Sequence, residues 1–142
     1  VMVVDFGENL KSILTSFMFS DVSNKEVSFF TINQWFDETL FNENAAQDLY
    51  FPAIDFNNYS KFKKKYFKIY NKQPNKVSIL AYDALGLIYY CWVNNNSQFK
   101  VDHLYSKEGF KGMHGEFFIE NNLSIQKLKI YRISDKKFIE VY

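Results

Sequence analysis

Few side chains in this sequence combine the type and spacing that chemistry demands. His114-Gly115-Glu116 has the H-x-E spacing with which a zinc-bound water and a carboxylate perform deamination. That reaction also needs a P-C-x-x-C thiolate pair, and Cys91 is the only cysteine. Asp5-Phe6-Gly7 has the form of a kinase metal-binding triplet, yet no glycine-rich loop or H-R-D stretch accompanies it. His103 and His114 stand eleven residues apart and lack the i, i+4 spacing of a helical metal pair, so two loop histidines explain them better. Cys91 lies in an apolar helical segment, where a thiol behaves as a small hydrophobe. The glycine-rich run 109–115 could pass for a phosphate cradle, but it leads into a strand and not into a helix amino terminus. A tight reversal, with glycines for positive φ or close packing, accounts for it. With no nucleophile beside a base and no metal cluster, the chain reads as a binding scaffold and not as an enzyme.

Two residues remain. Trp35 follows an apolar strand-like run and sits beside Asn33 and Gln34. An indole with neighbouring amides just past the carboxyl end of a parallel strand is where open α/β sheets place small polar ligands. The other reading is a tryptophan packed under its own loop. Asp83 is a lone carboxylate among Leu80, Ala84 and Leu87; it must find hydrogen-bond donors or stay protonated, and a structural anchor is the simpler role.

The elements that position these residues follow from periodicity. Residues 1–6 form a continuous apolar run, as in a strand buried on both faces. Leu10, Ile13, Leu14, Phe17 and Met18 then repeat at helical spacing behind Asn9 as N-cap. After a loop at 21–25, the β-branched and aromatic run 26–32 closes a β-α-β unit, whose right-handed crossover makes the two strands neighbours with 33–36 at their carboxyl edge. Residues 49–56 read as a third strand, at an edge or crossing between lobes because Pro52 cannot donate to a ladder. Tyr59, Phe62, Tyr66, Ile69 and Tyr70 mark one face of a helix whose Lys61, Lys63, Lys64 and Lys65 read as a solvated face. Pro74 breaks the chain, and Asn75 or Ser78 caps a nearly all-apolar helix reaching about Val93. From Gly115 the period becomes two: a strand, the turn Glu120-Asn121-Asn122, a returning strand over 124–133, a second turn at 134–137 and a last strand over 138–142.

Composition sets the bounds. At 142 residues, 47% hydrophobic and 20% aromatic, the chain can bury one core as a single domain. A formal charge of +1 offers no electrostatic footprint for nucleic acid or an anionic membrane, and suggests neither as partner. Arg132 is the only arginine, while asparagine, lysine, phenylalanine and tyrosine abound, a codon bias expected of an AT-rich bacterial genome. A single cysteine excludes an internal disulfide and leaves the redox compartment open. The longest apolar run, 84–93, is too short to span a bilayer. The chain opens at Val1 directly in a strand pattern, so it reads as a piece of a longer protein whose export signal lies upstream.

Trp35 followed by a polar segment, Tyr50-Phe51-Pro52-Ala53, the helix from Phe62 to Tyr66, Pro74, Ala81-Tyr82-Asp83-Ala84 and Gly109-Phe110-x-Gly112-x-x-Gly115-x-Phe117 occur in a fairly specific order. This order resembles the C-terminal part of the type I periplasmic-binding-protein-like superfamily, the branched-chain amino-acid-binding substrate-binding proteins of ABC transporters. The tail is most similar to the penicillin-binding protein activator-like branch. The chain departs from the family in its turns, with Asn121-Asn122 and Asp135-Lys136-Lys137 where glycine is usual, and with Thr31-Ile32-Asn33 lacking a glycine before Trp35.

The resemblance implies an α/β fold: a three-layer parallel-sheet lobe of the type I periplasmic-binding-protein-like kind with a C-terminal antiparallel strand meander. It implies a second-lobe segment over 1–56, helices packing on the first lobe over 57–108 and closing strands over 109–142. It further implies an extracytoplasmic solute-binding protein of an ABC-type importer, holding an amino acid or similar small polar ligand between two lobes, with Thr31, Asn33 and Trp35 lining the second-lobe wall and an ABC permease as partner. The alternative is an envelope regulator that binds a peptidoglycan synthase without a small ligand. Either implies a periplasmic location, with a lipid anchor through an upstream terminus as one form. Apolar helix faces such as Leu80 and Leu87 would then be covered by the upstream lobe or another chain.

Overall fold

The computed structural model describes residues 1–22 and 24–142; Ser23, in the loop expected at 21–25, lies outside the described residues. The elements run β1 (Met2–Val3), α1 (Gly7–Phe19), β2 (Phe30–Thr31), β3 (Tyr50–Ala53), α2 (Phe56–Tyr70), α3 (Ser78–Val93), β4 (Phe110–Gly112), β5 (Gly115–Glu120), β6 (Leu123–Gln126), β7 (Lys129–Ser134) and β8 (Lys137–Glu140), with short 3-10 turns between β2 and β3 and before β4. They form two compact units, Val1–Ala53 with Lys129–Tyr142, and Ile54–Leu128.

The first unit is built on a five-stranded mixed sheet of order β1-β2-β3-β7-β8. β1, β2 and β3 are parallel, and β7 and β8 join antiparallel. The β1-α1-β2 crossover between neighbouring strands is as the periodicity predicts. The strands are shorter than predicted. Within residues 1–6 only Val3 is buried, whereas Met2 and Val4 are each 67% exposed, because β1 is an edge strand here and not an interior one. Of the run 26–32, residues 24–26 form a turn and pairing begins where Ser28 and Phe30 meet Val1. Helix α1 starts at Gly7 behind Phe6, so Asn9 lies inside its first turn and is not the cap.

Pro52 lies in a strand that is central in the sheet order. Tyr50 N donates to Phe29 O at 2.9 Å, and alternation aims the nitrogen of residue 52 to the same side. The β2–β3 register there consists of Phe30 opposite Tyr50, so Pro52 falls beyond it and its missing donor costs no bond to β7. The core of this unit holds Leu10, Leu14, Leu40, Leu49, Phe51, Tyr131 and Ile133, all at most 2% exposed.

In the second unit Asp55 caps α2 by accepting from Asn58 N at 2.8 Å, and Asn71 ends the helix in the left-handed region. α3 buries Ile79, Asp83, Leu87 and Cys91 along one stripe. Its other faces expose Leu85, Ile88, Tyr89, Trp92 and Val93. β4, β5 and β6 form a three-stranded antiparallel meander, and Phe117 packs on Leu87 and Cys91.

The stretch 124–133, which alternation reads as one returning strand, is two: β6 closes the meander of the second unit and β7 belongs to the sheet of the first. Both predicted hairpin turns are present. Glu120 pairs with Leu123 around Asn121-Asn122, and Ser134 pairs with Lys137 around Asp135-Lys136. All four loop residues have φ between 49° and 62°, the two-residue geometry that suits the twist of the flanking strands.

Candidate functional site

The carboxyl ends of β1 and β2 carry the polar cluster that the sequence places there. Asp5 follows β1; its carbonyl accepts from Thr31 Oγ1 at 3.1 Å and from Gln34 Nε2 at 2.9 Å. Gln34 Nε2 also lies 3.2 Å from Thr31 Oγ1 and 3.1 Å from Ile32 O. Both side chains are 2% exposed. Thr31, expected on the ligand-facing wall, therefore uses its hydroxyl inside the protein, clamping the loop after β2 to the end of β1. Gln34 does the same work, and its burial is a tertiary fact with no local pattern behind it.

Asn33 and Trp35 occupy the loop that this clamp holds. Asn33 Oδ1 accepts from Trp35 N at 2.8 Å, a side-chain-closed turn. Trp35 and Phe36 then take φ of 51° and 56° in succession. Bulky residues in the left-handed region cost on the order of 1–3 kcal/mol each and persist only where their surroundings over-determine them. Here Phe36 supplies the constraint. It is 5% exposed, and its ring meets Tyr131, Phe138 and Phe51 edge-on at 5.0, 5.3 and 5.9 Å between centroids. With Phe36 sunk among aromatic rings and Gln34 tied below, Trp35 is carried to the sheet edge, partly exposed. Strain of this kind, at the carboxyl edge of parallel strands, is where open α/β proteins place function.

A second polar centre lies wholly within the second unit. Asp83 accepts hydrogen bonds from Met113 N at 2.9 Å and His114 N at 2.7 Å, and a short one from His114 Nδ1. Asp83 and His114 are 6% and 5% exposed. Burial alone would raise the carboxyl pKa; the His114 ring, the His114 N–H and the Met113 N–H together outweigh it and hold Asp83 below the usual carboxylate range. Asp83 thus has the structural role read from the sequence. Its partner was not legible, since His114 reads as an isolated loop histidine and lies 31 residues away. The imidazole stacks on Phe117 at 4.8 Å, 28° from parallel.

Gly112 makes this approach possible. A Cβ there would stand 2.4 Å from Asp83 Oδ2, while Gly109 and Gly115 take φ of +70° and +126°. The glycine-rich run is the reversal expected from sequence. Gly112→Ala is accordingly predicted to destabilise the chain by about 1–3 kcal/mol, as overpacking does, measured by urea unfolding; a neutral result would remove the close approach from the account. Among the described residues no group of three or more His, Cys, Asp or Glu is placed to hold a metal. Burial pushes the Cys91 thiol pKa up, which suits an inert side chain.

No protein-family model and no curated protein matches the sequence. Solved structures do. A putative branched-chain amino acid ABC transporter protein from Rhodospirillum rubrum matches with TM-score 0.75 at 13% identity, over 94% of this chain and 42% of that one. A branched-chain amino acid ABC transporter periplasmic ligand-binding protein from Burkholderia xenovorans matches with TM-score 0.71 at 14% identity, over 99% and 43%. A leucine-binding protein from Thermotoga maritima matches with TM-score 0.66 at 16% identity, over 99% and 43%. The chain spans less than half the length of these structures. None of the three is described as a synthase activator. No helix among the described residues is long and apolar enough to cross a membrane. The mixed sheet, the antiparallel meander and these matches agree: the chain has the fold of the type I periplasmic binding proteins.

Proposed function

We propose that this chain is part of a periplasmic solute-binding protein of an ABC importer that holds an amino acid or similar small polar ligand, with Asn33 and Trp35 contacting it and Thr31 and Gln34 positioning them. The observation that carries the reading is the pair of left-handed residues Trp35 and Phe36 at the carboxyl edge of the parallel strands, braced from below. Asn33 spends its Oδ1 on Trp35 N, and its amide nitrogen has no partner among the described residues, so it remains a donor for a carboxylate or carbonyl. The indole adds an apolar face. The names of the structural matches, two for branched-chain amino acids and one for leucine, support the ligand class.

The test is calorimetric titration of the native protein carrying this chain with leucine, isoleucine, valine, benzoate and muropeptides. The expected result is binding of at least one amino acid. Trp35→Ala should weaken it about tenfold or more, and Asn33→Ala by about tenfold to 100-fold, the loss of a hydrogen bond to a charged group. Unchanged affinity in both variants would remove this edge from the site, and muropeptide binding alone would favour an envelope role.

A further inference from the structure

The carboxyl edge that carries Asn33 and Trp35 also carries a carboxylate that the fold leaves half used. Asp5 follows β1 in the Asp5-Phe6-Gly7 triplet, and its backbone carbonyl is the acceptor for both Thr31 and Gln34, so the residue is pinned against the loop after β2. Its side chain is engaged through one oxygen. Oδ1 accepts from Phe6 N at 2.8 Å, which closes a local turn and orients the carboxylate. Oδ2 has no partner among the described residues, and no lysine or arginine pairs with it there. Asp5 is partly buried, and a carboxylate drawn partly out of water with a single hydrogen bond is stabilised by a cation that donates to it.

The neighbouring strand end has the opposite need. Asn33 spends Oδ1 on Trp35 N and keeps its amide nitrogen as a donor. Because β1 and β2 are adjacent and parallel, the two chain segments leave the sheet about 5 Å apart. A charged acceptor and an amide donor on neighbouring segments match a ligand that carries an ammonium and a carboxylate on one carbon. Phe6 is 68% exposed and adds apolar surface beside Asp5, as the partly exposed Trp35 does beside Asn33.

We propose that Asp5 is a specificity-determining residue of this site: its carboxylate takes the α-ammonium of the ligand and selects α-amino acids over acids of the same skeleton that lack the amino group. The assignment rests on ligand binding at Asn33 and Trp35. A purely structural role for Asp5 needs only the oxygen that meets Phe6 N, which an asparagine supplies equally well without the charge.

The test is calorimetric titration of the native protein carrying this chain with leucine beside isocaproate and valine beside isovalerate, each pair differing by the amino group. The wild type is expected to bind at least one of the two amino acids about tenfold to 100-fold more tightly than its partner acid, the range of a hydrogen bond to a charged group. Asp5→Asn should lose that preference through weaker binding of the amino acid at unchanged affinity for the partner acid. Its urea midpoint should stay close to that of the wild type, because the bond to Phe6 N is kept. A wild type without the preference, or an Asp5→Asn variant that retains it, would overturn the role of Asp5; if Trp35→Ala still weakens amino-acid binding, the site itself stands. No binding of either amino acid by the wild type would remove the site and Asp5 together.

Discussion

Asp83→Ala is expected to lower the stability of this chain by about 3–5 kcal/mol at neutral pH, the cost of leaving several buried donors without their carboxylate acceptor. The substitution strands two backbone donors, Met113 N and His114 N, and removes the acceptor of the His114 ring, all in a place nearly closed to water. It also uncouples α3 from the turn between β4 and β5, because the carboxylate is what that turn closes over. A pH dependence follows. A carboxyl held below its usual range binds fewer protons folded than unfolded, so stability rises with pH across the titration. The contribution of Asp83 is therefore complete above its unfolded value of about 4 and is lost as pH falls through its lower folded value. Urea unfolding of wild type and variant across pH 7 to pH 2 should show the gap narrowing on the acid side. A gap under about 1 kcal/mol at pH 7, or one constant with pH, would contradict the anchor role.

Phe36→Ala is expected to cost about 3–5 kcal/mol, as other buried aromatic truncations do, and to abolish the ligand binding proposed for Asn33 and Trp35. Its ring is held among Phe51, Tyr131 and Phe138, and that grip imposes the left-handed backbone at residues 35 and 36. Without it the loop can relax toward ordinary φ and the indole leaves the sheet edge. Phe36→Leu separates the two effects: it keeps most of the apolar burial, so stability should recover by about half, while binding follows the position of Trp35. Titration of both variants beside Trp35→Ala checks this; full affinity in Phe36→Ala would show that the strained pair does not position the site.

The position of Trp35 was legible from sequence because it follows a run of strand formers with amides between; the parallel pairing of β1 and β2 and the place of residues 33–36 at their carboxyl edge followed from the β-α-β pattern alone. The role of Thr31 was not. A threonine at that position alternates like any strand residue, and only the approach of Asp5, 26 residues earlier, turns its hydroxyl inward. Strand lengths were overread for a related reason. Apolar runs persist past the last paired residue, since composition records propensity and pairing requires a neighbour.

The β-α-β order of the first elements, the two helices after them, the two asparagine- and aspartate-bearing reversals and the glycine-rich turn were readable from the residues, because each depends on contacts a few positions apart. The tertiary structure alone decided that β6 and β7 go to different sheets, that His114 answers Asp83, and that Phe36 bends the backbone under Trp35. Asp83 and His114 stand 31 positions apart, and Phe36 and Tyr131 are further apart still. No periodicity encodes such pairs: chain entropy is indifferent to which distant partner is chosen until packing and the need to satisfy buried polar groups select one.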